Sequence, residues 1–108
     1  EHVLLLSDSP STWEEQSTCI ARHRRSLTRC NVDREEATRP AYIRVNREVA
    51  EELGAMSYEV TDWMCTEVCP AVIGDIAVYL DKNHITNTYG EFLSPYLELV
   101  VKAALQKQ

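Results

Sequence analysis

The sequence predicts an α/β fold with a parallel sheet, from three features that follow one another along the chain. Residues 3–6 form a continuous apolar run, which is typical of a strand buried on both faces. Residues 41–53 repeat apolar side chains every three to four positions and are followed by Gly54. Residues 56–60 are a second strand candidate. A helix, a glycine and a strand make half of a βαβ crossover, which joins parallel strands.

The first predicted strand ends in a polar loop. Residues 7–10, Ser-Asp-Ser-Pro, all favour turns. They stand at the carboxyl end of the strand, where open α/β sheets bind their ligands. Residues 13–33 show little periodicity, so we expect a loop there that contains a helical turn or two.

The helix over residues 41–53 is bounded by sequence signals at both ends. Pro40 can occupy the first helical position or stand just before it, because no hydrogen-bonded N–H is needed there. Gly54 is expected to end the helix, since glycine adopts the left-handed conformation easily. The apolar face between these ends holds four side chains: Tyr42, Val45, Val49 and Leu53.

The last third of the chain predicts a short strand and a last helix. Residues 71–80 are apolar but interrupted by Gly74, so we expect a loop and one short strand. The last helix has two possible starts: Thr86 caps it, or Ser94 caps it with Pro95 at the first helical position. If the helix already begins at Thr86, Pro95 lies inside it and bends it.

Four cysteines occur at spacings that suggest two local disulfides. Cys19 and Cys30 stand eleven residues apart, and Cys65 and Cys69 form a C-x-x-x-C pair. Of the three possible pairings we expect the local one, which implies an oxidising compartment. A structural zinc site is the competing arrangement. Such sites usually repeat a short C-x₂₋₄-C pair, and the first pair here is spaced too widely for that.

Composition and charge exclude several classes of protein. The 108 residues are 44% hydrophobic and 26% charged, which suits one small folded domain rather than a disordered segment. A formal net charge of −6 disfavours nonspecific nucleic-acid binding, which requires a positive field. We expect no membrane span, since no apolar run reaches about 18 residues. The first residues lack the basic region of a signal peptide, so any export signal is expected outside this chain.

All eight arginines lie between Arg22 and Arg47. Residues 21–47 set these eight bases against three acids, so the stretch has a net charge of +5. A solvated face is the usual explanation for such a stretch. The alternative is a docking surface for anionic headgroups or glycan phosphates.

The strongest pattern for chemistry is Asp-x-x-His at Asp81 and His84, just before the last helix. A histidine that serves a serine nucleophile must accept the hydroxyl proton and later return it. A carboxylate on the other ring nitrogen holds the required tautomer and stabilises the imidazolium. Three residues of separation on a turn can bring the two side chains together. A capping aspartate beside a surface histidine is the simpler explanation of the same pattern.

Several segments resemble one protein family. Residues 69–75 (CPAVIGD) and 78–89 (VYLDKNHITNTY) are similar to the end of the SGNH-hydrolase-like domain fused to membrane-bound acyltransferase family 3 proteins, which are common in bacteria. Residues 3–10 (VLLLSDSP) resemble the family's strand that ends in Asp-Thr-Pro or Asp-Asn-Pro. The paired cysteines, the helix and residues 60–65 (VTDWMC) occur in the family's order.

The resemblance implies a flavodoxin-like three-layer sandwich, of which residues 1–108 are a single domain corresponding to the C-terminal part. It implies that His84 is the catalytic base and that Asp81 orients it. The family's nucleophilic serine stands in a Gly-Asp-Ser motif far upstream, and this chain contains no such motif. Ser9 is the alternative nucleophile, although its spacing to His84 is short for this fold and Pro10 follows it directly.

The function implied is that of the extracytoplasmic portion of an O-acyltransferase of the bacterial envelope. An acyl group from a donor would pass through a membrane domain outside this chain to a hydroxyl of a cell-surface glycan or glycolipid. The donor, the acceptor, the membrane domain and the remainder of the SGNH-like domain are the expected partners, with no nucleic acid, cofactor or metal. An esterase or deacetylase using the same Asp-His pair is the second hypothesis, and a non-catalytic recognition module is the third.

Overall fold

A computed structural model describes residues 2–106 of the chain. The elements run in the order β1 (Leu4–Leu6), α1 (Gln16–Arg22), β2 (Val32–Asp33), α2 (Arg34–Ala37), α3 (Pro40–Leu53), β3 (Met56–Tyr58), β4 (Val68–Cys69), β5 (Val72–Ile73), β6 (Ile76–Ala77) and α4 (Asn87–Gln106). Two 3₁₀ turns cover Leu27–Cys30 and Val60–Trp63. This mixture of helices and strands is consistent with the predicted α/β class. Within the described residues the strands form three separate two-stranded sheets.

The βαβ unit that the sequence predicts is present. β1 and β3 pair in parallel, with Leu5 opposite Ser57. α3 connects them, with Pro40 in its first turn and Gly54 just after its last, at a left-handed φ of 67°. β3 ends two residues before the predicted strand does, because residues 60–63 turn into a 3₁₀ helix.

α3 buries less of its apolar face than the sequence pattern suggests. Ala50 is its one buried residue. Four apolar side chains form a stripe that is 40–71% exposed: Tyr42, Val45, Val49 and Leu53. Residues 2–106 therefore leave this stripe of α3 largely uncovered.

Residues 71–80 differ from the expected loop with one short strand. β5 and β6 form an antiparallel hairpin in which Ile73 lies opposite Ile76. Gly74 adopts a left-handed φ of 63° and makes the two-residue turn with Asp75. The break in the apolar run is therefore a hairpin turn. Periodicity does not reveal it, because strands of two residues are too short to show alternation.

α4 begins at the earlier of its two predicted starts. The Thr86 hydroxyl oxygen accepts the N–H of Tyr89 at 3.0 Å, which is an N-cap bond to the third helical residue. Pro95 lies inside the helix and has no N–H to offer the Glu91 carbonyl. The Ser94 hydroxyl donates to that carbonyl instead, at 2.9 Å. The helix thus passes the proline without leaving the carbonyl unpaired.

Two clusters of buried side chains form the core. The larger one comprises Val32, Ala37, Val60, Met64, Cys65, Cys69, Val78, Tyr79, Tyr89 and Leu93. The smaller one comprises Cys19, Cys30 and Ala71. Each cluster contains one disulfide, Cys19–Cys30 or Cys65–Cys69, so the expected local pairing is confirmed. The competing zinc arrangement is wrong, because the four sulfurs form two separate disulfides and leave no thiolate among the described residues to bind a metal.

Removing either disulfide is expected to lower the free energy of unfolding by about 2–3 kcal/mol, since each closes a short loop in the unfolded chain. Urea denaturation of Cys19→Ala/Cys30→Ala and of Cys65→Ala/Cys69→Ala would measure this. The intact mass should rise by four hydrogens on reduction, because two bonds are present. Cysteines that react with an alkylating reagent before reduction would contradict the pairing.

The two buried tyrosines Tyr79 and Tyr89 should differ in how loss of the hydroxyl changes the free energy of unfolding. The Tyr89 hydroxyl donates to the Trp63 carbonyl, whereas the Tyr79 hydroxyl is buried and finds no partner within residues 2–106. We expect Tyr89→Phe to cost about 1 kcal/mol of unfolding free energy and Tyr79→Phe to cost nothing or to stabilise. Chemical denaturation of the two variants makes the comparison. Equal losses would show that the Tyr79 hydroxyl is bonded after all.

Candidate functional site

The loop that carries Asp81 and His84 is closed at its base. Tyr79 and Ile85 form an antiparallel bridge. The N–H of Leu80 donates to the carbonyl of His84 at 2.8 Å, and the N–H of Thr86 donates to the carbonyl of Val78 at 2.9 Å. The loop is therefore a tight turn between the β5–β6 hairpin and α4, and its ends are fixed by backbone bonds.

Asp81 and His84 are in direct contact. Nδ1 of His84 lies 2.9 Å from Oδ2 and 3.1 Å from Oδ1 of Asp81. The same Oδ1 accepts the backbone N–H groups of Asn83 and His84, each at 2.9 Å. The His84 side chain is 73% exposed and that of Asp81 is 37% exposed. The Asp-x-x-His spacing thus forms a bonded pair at the surface.

Hydrogen bonds keep the Asp81 carboxylate charged. They lower its pKa to about 2, chiefly through the N–H of Asn83, then through the N–H and the ring of His84. A carboxylate only accepts hydrogen bonds, so Nδ1 must be the donor in this contact. In the neutral ring, Nε2 then carries the free lone pair. That nitrogen is the one able to accept a proton from a substrate or a nucleophile.

The hydroxyl groups of the serines after β1 form hydrogen bonds with main-chain groups. The hydroxyl oxygen of Ser7 accepts the N–H of Val60 at 2.8 Å. The Ser9 hydroxyl donates to the carbonyl of Asn83, next to His84. Among the hydrogen bonds of residues 2–106, neither hydroxyl contacts the His84 ring. Ser9 therefore lies close to the Asp81–His84 pair, but its hydroxyl is hydrogen-bonded to the main chain of the loop that carries the pair.

Sequence reasoning missed the contact between residues 9–16 and this loop. Thr12 donates its N–H to the carbonyl of Lys82 at 2.7 Å, and its hydroxyl lies 2.9 Å from the same oxygen. Ser9 is one of the turn formers at residues 7–10, whereas no sequence pattern singled out Thr12. Their partners lie 74 and 70 residues further along the chain, and no local pattern reports such a distance.

A groove of about 570 Å³ lies between the end of β1 and α3. Leu5, Leu6, Ser9, Tyr42 and Val45 are among the residues that line it. Asp81 and His84 are outside its lining, so the described residues present the pair on an open surface rather than inside a pocket. No three His, Cys, Asp or Glu side chains within residues 2–106 gather closely enough to hold a metal ion.

The arginine-rich stretch divides into structural and solvated members. Arg34 donates to the carbonyls of Cys65 and Thr66 at 3.3 Å and pairs with Asp62 at 2.6 Å. Arg22 pairs with Glu14. Arg34 therefore ties α2 to the loop at residues 62–66, whereas the Arg22–Glu14 pair lies at the exposed surface.

Comparison with known proteins gives one match. The family model described as SGNH domain (fused to AT3 domains) matches residues 1–98. No curated protein and no solved structure matches the chain. Among the described residues, no helix has both the length and the apolarity needed to cross a bilayer.

The pKa of Asp81 offers a direct test of the pair. Its hydrogen bonds favour the folded state fully above about pH 3.9, the ordinary aspartate value, and are lost as the pH falls through about 2. In His84→Ala the two backbone N–H groups remain, and these are the largest causes. We therefore expect the pKa to rise only part of the way to its ordinary value.

Carboxyl ¹³C NMR on the labelled chain would follow Asp81, with the other aspartates in the same spectrum as controls. An Asp81 pKa near 3.9 in the unmodified chain would contradict the geometry of the turn. A complete return to that value in His84→Ala would show that the ring, rather than the backbone, holds the carboxylate.

Proposed function

Since this chain belongs to the family of SGNH domains fused to AT3 domains, we propose that it is the C-terminal part of the extracytoplasmic domain of an O-acyltransferase. This domain moves an acyl group onto a hydroxyl of a cell-surface glycan or glycolipid. The bond between Nδ1 of His84 and the Asp81 carboxylate is the observation that carries the proposal. It prepares His84 as a base and leaves the ring accessible to a nucleophile.

The first half-reaction acylates a serine. Nε2 of His84 accepts the serine proton as the oxygen attacks the acyl carbonyl of the donor, and the Asp81 carboxylate stabilises the imidazolium. The tetrahedral intermediate collapses when the bond to the leaving group breaks. His84 returns the proton to that leaving group, so the serine ester forms with the ring neutral again.

The second half-reaction uses the same groups in reverse. His84 accepts the proton of the sugar hydroxyl as its oxygen attacks the serine ester. The bond to the serine oxygen breaks, and His84 gives that oxygen its proton back. Each half-reaction moves one proton onto the ring and one off it, so the Asp81–His84 pair ends the cycle unchanged.

The unpaired edge of β1 supports the proposal that the nucleophile stands on a further strand next to β1. The N–H of Met56 donates to the carbonyl of Val3, and the N–H of Ser7 donates to the carbonyl of Tyr58. The backbone N–H and C=O groups of every second residue, beginning at Val3, therefore point toward β3. The backbone groups of Leu4 and Leu6 point the other way, and the described residues supply no strand there. A flavodoxin-like three-layer sandwich would continue from this edge.

The exposed stripe of α3 supports the same continuation. Tyr42 and Val45 of this stripe line the groove beside β1, together with Leu6. A strand added parallel to β1 would cover these apolar side chains and end near the loop at Ser9. Because Ser9 already contacts Asn83, a serine at that end would stand near His84.

Localisation and partners follow from the same proposal. Two disulfides suit the extracytoplasmic side of a membrane, where thiols oxidise. The acyl donor reaches the domain through the membrane acyltransferase domain of the fusion, and the acceptor is a glycan or glycolipid. The formal net charge of −6 disfavours nonspecific binding to nucleic acid.

An SGNH-type esterase or deacetylase is the second candidate, and one observation favours it. The His84 side chain is 73% exposed, so water reaches the base from the open side. Water attacking the serine ester would release the acid through the same proton transfers. The two functions differ only in which acceptor hydroxyl reaches the acyl-enzyme.

Substitution of the pair in the full fusion protein tests the proposal. We expect His84→Ala to lower transfer of a labelled acyl group to glycan by about 10³-fold, because the serine loses its base. Asp81→Asn should cost less, since an amide oxygen can still accept the backbone bonds of the turn. The double variant should lose no more than His84→Ala, because the triad acts as a unit.

His23→Ala and Asp75→Asn are the matched controls and should retain full transfer, since both residues lie outside this loop. Unchanged transfer in His84→Ala would refute the catalytic role and leave a recognition module as the better hypothesis. The isolated chain should not hydrolyse an aryl acetate. Turnover that disappears in Ser9→Ala would instead make Ser9 the nucleophile of a self-contained hydrolase.

A further inference from the structure

Three successive carbonyls of the Asp81–His84 loop accept hydrogen bonds from one segment, residues 9–16. The carbonyl of Asn83 accepts the Ser9 hydroxyl. The carbonyl of Lys82 accepts the N–H of Thr12 at 2.7 Å, and the Thr12 hydroxyl lies 2.9 Å both from this oxygen and from the carbonyl oxygen of Glu14. The carbonyl of Asp81 accepts the N–H of Gln16 at 3.3 Å. The orientation of each peptide group in the turn is thereby tied to the segment that follows β1.

This attachment matters because little else orients the histidine. The His84 side chain is 73% exposed, so no surrounding core restrains its ring. Its direction follows from the backbone of the turn and from the bond to Asp81. Thr12, by contrast, is 8% exposed, so the side chain that contacts the turn is itself fixed by packing.

We propose that Ser9 and Thr12 are positioning residues, whose hydroxyl groups hold the main chain of the turn so that His84 and Asp81 stay aligned for proton transfer. Neither hydroxyl takes part in the reaction. The proposal rests on the proposed function for its catalytic consequence, while the attachment itself is a property of this chain alone. It gives the polar loop after β1 a role that does not require Ser9 to be a nucleophile.

The physical reason for an effect on rate is geometric. Displacing a catalytic group by about 1 Å can cost about 100-fold in rate. The double substitution removes the Ser9 hydroxyl bond to Asn83 and the Thr12 hydroxyl that lies between the carbonyls of Lys82 and Glu14. The backbone bonds of Thr12 and Gln16 remain, so the turn is loosened rather than released. We expect about a tenfold fall in kcat for Ser9→Ala/Thr12→Val in the fusion protein, with KM unchanged.

A measurement on the chain itself separates positioning from simple stability. In Ser9→Ala/Thr12→Val the pKa of Asp81, followed by carboxyl ¹³C NMR, should rise from about 2 toward its ordinary value, because the N–H bonds of the turn become less well aligned. The conservative variants Ser9→Thr and Thr12→Ser keep the hydroxyls and should restore the low value.

Two controls remove hydroxyl bonds of the same kind elsewhere. The Thr38 hydroxyl donates to the Arg34 carbonyl at 2.8 Å, and the Ser94 hydroxyl donates to the Glu91 carbonyl at 2.9 Å. Thr38→Val and Ser94→Ala should leave the Asp81 pKa unchanged even if they lower the melting temperature. If the double variant fails to fold, the single variants Ser9→Ala and Thr12→Val decide.

The proposal is overturned if the folded variants keep the Asp81 pKa and kcat and lose only stability. It is also overturned if Ser9→Ala alone abolishes turnover and Ser9→Thr does not restore it, since Ser9 would then be the nucleophile. Failure of the proposed function is a separate result. Full activity in His84→Ala would refute the catalytic assignment, while the NMR titration would still test the attachment of the turn.

Discussion

Burial of Val78, Tyr79 and Tyr89 beside the Cys65–Cys69 disulfide is the constraint on which the candidate site depends. All three side chains are at most 1% exposed. Two of them immediately precede the Asp-x-x-His loop and the third lies in the first turn of α4, just after it. Strands of two or three residues have too few ladder bonds to fix a loop by themselves. Because both ends of the loop are anchored in the core, its tip can stand in solvent and keep its shape.

The exposed tip avoids the main cost of placing a charge in a folded protein. The Asp81 carboxylate is stabilised by two backbone N–H groups and an imidazole, with water on its open side, so little desolvation opposes its ionisation. The disadvantage is that packing does not orient the ring. The ring is oriented instead by the turn that carries it, and hydrogen bonds hold the main chain of that turn. Ser9 and Thr12, about 70 residues earlier in the chain, supply some of these bonds.

Much of this arrangement could be predicted from the sequence, and the remainder has a common physical reason. Gly54 and the helix before it are local signals that the structure confirms, and of the two starts left open for the last helix the structure has the one capped by Thr86. The pairing of the four cysteines is confirmed as well. The hairpin at residues 72–77 was missed because each of its strands has only two residues, a single period of alternation. The contacts of Ser9 and Thr12 were missed because tertiary packing, rather than local preference, brings distant carbonyls to them.

The choice between transfer and hydrolysis depends on the uncovered surface of the chain. Transfer requires that a sugar hydroxyl reach the acyl-serine before water does, and residues 2–106 alone leave the His84 ring open to water. The same residues leave the edge of β1 and the apolar stripe of α3 uncovered. Ser9 connects the two regions, because it lines the groove and also contacts Asn83. A strand that fills the groove would therefore also narrow the approach to His84, so completion of the sheet and exclusion of water would be consequences of one packing event.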